Sequence, residues 1–475
     1  MIRTLAAEAH SEPSASAPSD VSIASERHPK GLAVLFATEM WERFSFYSML
    51  AMFTLYLQDP RQGFGWSTER ATRLYALYLA FVYFSPLLGG WLADRKLGYR
   101  RSVMIGGVFF MAGHLLLAFP SVTLLYLALA CLVVGNGFFK PNVSAMVGKL
   151  YPEDSPLKDR AYNIFYMGIN VGAFVAPLVA EVMRDRFGYH PAFAVAAGGM
   201  LLSVLIPWRF GRHVELADRR GGLEPRAALA AENVLPAPPV RHSIGSVPER
   251  RRIGGLLTIF LIVIVFWMAF SQNGATWTYW ANDNTDWSAS AVVPVLFKIL
   301  TLGLIETTDV SGVIANAIGP FFVIVFTFPL IAFWNALARR GREPSTPAKM
   351  ALGMMLVAAA FLLMAQAGRL GGDTGRVSPW WLIGAYATIT LGELMLSPMG
   401  LSLVSKVAPP RLRGLMMGGW FAATSIGNYL VGTIGVKWTV WPHSQFFFVV
   451  ALFAAAVSLL LLLLLRPLEK AMPGV

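Results

Sequence analysis

Five ionisable side chains sit within stretches otherwise apolar enough to cross a bilayer: Glu39, Glu42 and Arg43 between Leu32 and Leu57, then Lys140, then Glu393. The first three are spaced i, i+3 and i+4, which places them on one face of a helix. A charge at the centre of a spanning helix costs about 2.5–3.5 kcal/mol on insertion scales, so a water-filled cavity or a bundle interior is favoured over a lipid-facing position. The chemistry on offer is ion pairing and proton exchange. Arg43 presents a two-pronged fork for a carboxylate and Lys140 a compact point charge, while an ammonium group requires an acceptor such as Glu393. A carboxylate beside a cation in low dielectric is pulled in opposite directions by desolvation and by its neighbour, so the arrival of a charged solute can change its protonation. Two acids and two bases in the first half of the chain, with one unpaired acid in the second, suit a zwitterion held between the halves.

The elements that must position these groups are helical spans. Of the 475 residues, 56% are hydrophobic and 14% charged, against about 25% charged in soluble domains. Runs of about 20 apolar residues predict twelve spans, at roughly 31–57, 71–94, 101–120, 122–148, 160–185, 190–210, 254–280, 313–338, 348–367, 378–405, 411–437 and 444–466. The net charge of +12 collects in alternate loops, for example Arg95 to Arg101, Lys149 to Arg160 and Arg250 to Arg252. By the positive-inside rule both termini are then cytoplasmic, and a nucleic-acid partner is disfavoured. Residues 1–29 read as a disordered cytoplasmic tail, 30–210 and 253–467 as two six-helix bundles, 211–252 as a Pro-rich cytoplasmic linker, and 468–475 as a second tail. The loop of about 281–310, with Trp280, Trp287 and Pro294, fits either a partly interfacial cap or a plain ordered loop. Cys131, the only cysteine, and His114 read as packing residues, and Lys298 as a residue at the outer water boundary. No metal, cofactor or catalytic motif is present in a suitable context.

After the second span comes Gly90-Trp-Leu-Ala-Asp94-Arg95-Lys96-Leu-Gly98, which resembles the loop signature of the major facilitator superfamily. Gly90 permits close helix approach and Gly98 a tight turn, and Asp94 with Arg95 forms a candidate inner latch. More specifically, Glu39-Met-Trp-Glu42-Arg43-Phe-Ser-Phe46-Tyr47, the Lys140-Pro141 segment, Phe165-Tyr166-Met-Gly168-Ile-Asn170, Glu393 to Pro398 and Gly418-Gly-Trp420-Phe421 resemble, in order, the motifs of the proton-dependent oligopeptide transporters. The resemblance implies that Glu39, Glu42, Arg43 and Lys140 couple proton binding to transport and that Arg43 and Lys140 hold a peptide carboxylate. It implies that Glu393 receives the amino group, that Tyr47, Tyr83, Asn170, Gln272 and Ser397 contact the peptide, and that Trp420 and Phe421 line side-chain pockets.

Three departures stand out. Leu50 occupies a position where the family commonly has Arg, and Ser271 one where it has an acid; in the family these two charges pair, so the joint loss is self-consistent. The family's helix-eight Asn-Pro appears as Gly319-Pro320, with Asn316 about one turn earlier. The expectation is therefore an all-α membrane protein of twelve spanning helices in two pseudo-symmetric bundles of the major facilitator type. Its expected work is proton-coupled symport of di- and tripeptides across the cell's inner membrane, as a monomer in the lipid bilayer, with protons as coupling ion and no cofactor. A transporter of the same fold for nitrate, a peptide-like drug or another organic anion is the alternative, ahead of a non-transporting receptor; an enzyme is least favoured.

Overall fold

The computed structural model describes residues 28–151, 157–218, 247–304, 311–409 and 412–473; a few side chains, among them those of residues 397–402, fall outside the description. The first half comprises α1 (Lys30–Gln58), α2 (Thr68–Leu92, prolonged by a π turn over Ala93–Leu97), α3 (Tyr99–Leu116), α4 (Val122–Lys149), α5 (Leu157–Phe187) and α6 (Tyr189–Arg209), followed by the short α7 (Glu215–Asp218). The second half begins with α8 (Glu249–Phe270), a 3-10 turn over Ser271–Gly274 and α9 (Thr276–Asp283), which together make one broken span. Then come α10 (Val292–Leu300), α11 (Gly312–Ala315) leading into α12 (Ile318–Arg339), α13 (Thr346–Gly371), α14 (Pro379–Val407), α15 (Arg413–Gly435), α16 (His443–Leu463) and α17 (Leu465–Ala471). Leaving out the short α7, α10 and α17 and counting α8–α9 and α11–α12 once each, twelve helices remain among the described residues, the number expected from the sequence; eight of them are long and apolar enough to cross a membrane.

Sequence chemistry sets the ends of these helices. Ser67 caps α2 by accepting from the Arg70 amide, and Ser121 caps α4 by accepting from the Leu124 amide. The Asp59 carboxylate turns the chain after α1 by accepting from the Arg61 and Gln62 amides, both at 2.8 Å. Gly98, at φ 81°, makes the sharp corner between the π turn and α3, as its glycine identity implies.

Within the first bundle α1 packs on α5 and α6, α2 on α4, and α3 on α4 and α6; within the second, α13 packs on α14 and α16, α8 on α15, and α12 on α14. The bundles meet where α2 lies along α15 and where α5 lies along α11 and α12. Two glycine crossings set the depth of the candidate site. A Cβ on Gly89 of α2 would stand 1.9 Å from the Gly137 carbonyl oxygen of α4, and one on Gly172 of α5 would stand 2.3 Å from the Met40 carbonyl oxygen of α1. The first crossing sets α4 against α2, where the Lys140 ammonium meets the Tyr83 ring, and the second sets α5 against the α1 backbone beside Arg43. The close approach falls at Gly89 and not at Gly90, whose nearest neighbour would be Pro141 at 3.6 Å.

Outward-facing side chains such as Leu88, Leu261, Phe328 and Leu463 form an apolar shell, whose backbone groups are satisfied inside each helix as a bilayer requires. Two expected irregular segments are more ordered than composition suggested. The end of the presumed linker, from Glu249, is already helical, and Arg252 donates to the Val407 carbonyl of α14 at 2.8 Å; linker residues 219–246 lie outside the described residues. The presumed C-terminal tail folds as α17, with Leu468, Ala471 and Met472 buried and Glu469 accepting from Ser345 at 2.7 Å. Of the presumed N-terminal tail, residues 1–27 are outside the description, and His28 meets the Tyr151 hydroxyl at 2.8 Å.

Candidate functional site

Between the two bundles lies a cavity of about 110 Å³, smaller than the usual small-ligand pocket of about 300–1,000 Å³. Its wall comes from α1 (Phe46, Tyr47, Leu50), α2 (Tyr75, Leu79, Tyr83), α5 (Asn170), α8 with its following turn (Trp267, Phe270, Ser271, Asn273), α11–α12 (Asn316, Gly319, Pro320) and α14 (Glu393). Tyr75, Leu79 and Tyr83 repeat every fourth residue, so one stripe of α2 faces the cavity; the same spacing in the sequence was enough to add Tyr75 and Leu79 to Tyr83.

On the first-bundle side stands the buried ion cluster. Arg43 closes bidentately on Glu42, with Nε donating to Oε2 and Nη2 to Oε1 at 2.6 Å, and its Nε is 3.3 Å from Glu39 Oε1. All three are at most 3% exposed, and Glu39 Oε2 has no hydrogen-bond partner among the described residues. Lys140 is within coulombic reach of Glu39, Glu42 and Arg43, yet among the described residues no carboxylate comes within 4 Å of it. Its ammonium lies instead over the Tyr83 ring, 4.7 Å from the centroid, a cation–π contact that leaves its hydrogen-bonding capacity free. Glu393, on the cavity wall, has no ion-pair or hydrogen-bond partner among the described residues, and Tyr47, Tyr83 and Tyr166 lie within its electrostatic range. Among the described residues the arrangement therefore offers an anion on the cavity wall and a cation behind that wall, stacked on the Tyr83 ring.

The structure brings Tyr47, Tyr83, Asn170 and Glu393 to the cavity wall, with Glu39, Glu42, Arg43 and Lys140 immediately behind it. Asn170 also donates to the Tyr166 carbonyl at 2.8 Å. Three residues that the resemblance placed at the ligand sit elsewhere. Gln272 is fully buried, its amide donating to the Val431 carbonyl at 3.3 Å and accepting from Thr276 at 3.0 Å. Trp420 is buried edge-on against Phe260, with centroids 6.5 Å apart, and Phe421 packs on the core rather than lining the cavity. The side chain of Ser397 lies outside the described residues. In the candidate latch, exposed Asp94 accepts from the Tyr99 hydroxyl at 2.7 Å and Arg95 lies over the Trp91 ring, so among the described residues neither is seen to bond to the other bundle. Of the packing residues, His114 is fully buried beside Phe110, with neither ring nitrogen partnered among the described residues.

The cavity is sealed on the side opposite the chain termini. There the Thr72 and Tyr279 hydroxyls meet at 2.9 Å, the Tyr75 hydroxyl donates to the Ser271 carbonyl at 3.4 Å, and Thr54 donates to the Gly274 carbonyl at 3.5 Å. A buried acid completes the seal. Glu181 of α5, held by Arg184, accepts from the Ser311 hydroxyl at 2.6 Å. Ser311 is the N-cap of α11, so the first bundle supplies an anion to a helix start in the second. Among the described residues every cross-bundle hydrogen bond lies on this side or at mid-depth, the deepest being Ser425 to the Ala80 carbonyl at 2.8 Å.

Comparison with known proteins converges with this geometry. The model of the POT family matches residues 100–215 and 230–447. A di-/tripeptide transporter of Lactococcus lactis subsp. lactis (strain IL1403) is 33% identical over 447 residues, covering 84% of this chain and 87% of the relative. A peptide transporter of Yersinia enterocolitica is 31% identical over 463 residues, covering 86% and 88%. Among solved structures, a peptide transporter POT in complex with sulfate superposes with a TM-score of 0.80 at 29% identity, covering 94% of this chain and 96% of that one. A POT family transporter in complex with 5-aminolevulinic acid superposes with a TM-score of 0.80 at 26% identity, covering 93% and 97%.

Proposed function

This chain belongs to the POT family of membrane transporters, and we propose that it carries di- and tripeptides together with protons by alternating access. The observation that carries the reading is a pair of opposite charges that have no ion-pair partner among the described residues. Glu393, on the cavity wall, suits a peptide ammonium, and Lys140, behind the Tyr83 ring of the same wall, suits the carboxylate. Proton entry at Glu39 or Glu42 would loosen their hold on Arg43, adding a second prong for that carboxylate. The hydrogen-bonded seal opposite the termini fits a state closed to the outside. In this reading the termini are cytoplasmic, the chain works as a monomer in the inner membrane, and the proton is the only coupling partner, with no cofactor.

Reconstituted into liposomes, the protein is expected to accumulate dialanine against its gradient when the outside is made acidic, and to lose accumulation when the proton gradient is collapsed. Nitrate or an organic anion that competes while dialanine does not would overturn the peptide reading in favour of another solute; the neutral Leu50 and Ser271 in the cavity wall keep that second reading specific.

Glu393→Ala provides a sharper check. Removing the ammonium acceptor should weaken binding of free-amine peptides about tenfold or more, the weight of a charge-assisted hydrogen bond at about 1.5–3 kcal/mol. N-blocked peptides should be nearly unaffected. Equal losses for both classes would remove the proposed role of Glu393.

A further inference from the structure

The outer loop contains an amphipathic helix that the transport cycle described above does not use. In α10, Val292, Val295, Leu296 and Ile299 follow i, i+3, i+4, i+7 spacing and form one exposed face, with Val292 61%, Val295 57% and Ile299 65% exposed. The opposite face is anchored: Val293, Phe297 and Thr301 are buried, and Phe297 packs edge-on against Trp287 with centroids 5.8 Å apart. Trp280 and Trp287, which the sequence offered as interfacial anchors, are themselves buried in protein: Trp287 supports α10 through Phe297, and Trp280 packs against Trp438 and Phe447. Lys298, also exposed, sits at the edge of the apolar face, between it and the anchored one. Just beyond the helix, Leu302 adopts φ 54°, the sole positive φ at a non-glycine among the described residues, and is 85% exposed. A leucine in a left-handed conformation with its side chain turned outward extends the apolar face by one more residue.

The geometry points to the outer leaflet of the bilayer as the occupant of this face: α10 is an interfacial lipid-docking helix. Three observations select lipid. The exposed face carries no charge, while a long cationic side chain flanks it in the position from which Lys reaches headgroup phosphates. The segment is continuous with the shell of the spanning helices, because the Arg186 guanidinium at the end of α5 donates to the Leu304 carbonyl at 2.7 Å and the next residue, Phe187, points outward. The helix also lies on the side opposite the termini, which is the outer side; that clause rests on the topology proposed above. The chain then runs towards α11, whose N-cap Ser311 belongs to the cavity seal, so the docked helix connects the outer leaflet to the gate.

The test places an environment-sensitive fluorophore at Ile299→Cys, and separately at Val295→Cys, in a Cys131→Ser background, with partly exposed Asp286→Cys as the aqueous reference. The labelled proteins are reconstituted into phosphatidylcholine and phosphatidylglycerol vesicles. Brominated acyl chains are expected to quench the α10 labels at least about threefold more than aqueous iodide does, with the order reversed at residue 286, because the apolar face is buried at the headgroup boundary. Iodide quenching equal to that at residue 286 for both α10 labels would overturn the proposal. So would disulfide cross-links between two copies through residue 295 or 299 with lipid quenching lost, which would make a second protomer the occupant. Dialanine uptake by the same vesicles reports separately on the peptide reading: lipid quenching without uptake sinks that reading and leaves α10 in the leaflet.

Discussion

Lys140→Ala is expected to abolish both proton-driven accumulation and peptide exchange, whereas Glu42→Gln is expected to abolish accumulation while retaining exchange. The reason is charge arithmetic within the buried cluster. With both acids ionised, Glu39, Glu42, Arg43 and Lys140 sum to zero; one proton makes the sum +1, and a peptide carboxylate restores neutrality. A net charge in this setting costs about 2.5–3.5 kcal/mol, or roughly a hundredfold in occupancy, so proton and carboxylate arrive together. Without Lys140 the protonated cluster is already neutral, and a carboxylate would leave it at −1. With glutamine at 42 the cluster stays at +1, so the carboxylate binds whether or not a proton is present and coupling is lost. Counterflow and gradient-driven uptake of radiolabelled dialanine, measured side by side, separate the two effects. Full concentrative uptake by either variant would sink the assignment.

What the sequence made readable follows from cost. An ionisable side chain inside a spanning helix has few affordable locations, so Glu39, Glu42, Arg43, Lys140 and Glu393 pointed to the interior from their type and position alone, and the structure gathers them at or just behind one cavity, beside Asn170, which only the resemblance had singled out. Gln272, Trp420 and Phe421 carry no such constraint. An aromatic ring is equally at home in a cavity wall and in a packed core, and the Gln272 amide finds its partners in Val431 and Thr276, the first of which lies far along the chain. The bond between Glu181 and Ser311 joins residues 130 positions apart and has no local signature. The α10 face did have one, in Val292, Val295, Leu296 and Ile299, but the tryptophans beside it looked like the stronger membrane signal, and both are buried in protein, Trp287 beneath α10 itself.

The paired neutrality of Leu50 and Ser271 yields the second large effect. Both residues line the same cavity, and the Tyr75 hydroxyl already holds the Ser271 carbonyl, so a side chain introduced at 271 starts from a fixed backbone position. Leu50→Arg alone introduces a cation whose only carboxylate on the cavity wall, among the described residues, is Glu393. Either the guanidinium stays unpaired, which costs several kcal/mol, or it captures Glu393 and competes with the peptide ammonium. On both routes uptake should fall at least about tenfold, since about 1.4 kcal/mol suffices for that factor. Adding Ser271→Glu supplies a closer acid and frees Glu393, so the double variant should regain most of the lost uptake. The Ser271→Glu single variant, an anion beside an anion, should also be impaired. A thermodynamic cycle built from the three uptake rates measures the coupling directly. If the double variant is no better than the worse single one, the two neutral positions are not a matched replacement for an ion pair, and the closed state rests on the cross-bundle hydrogen bonds without them.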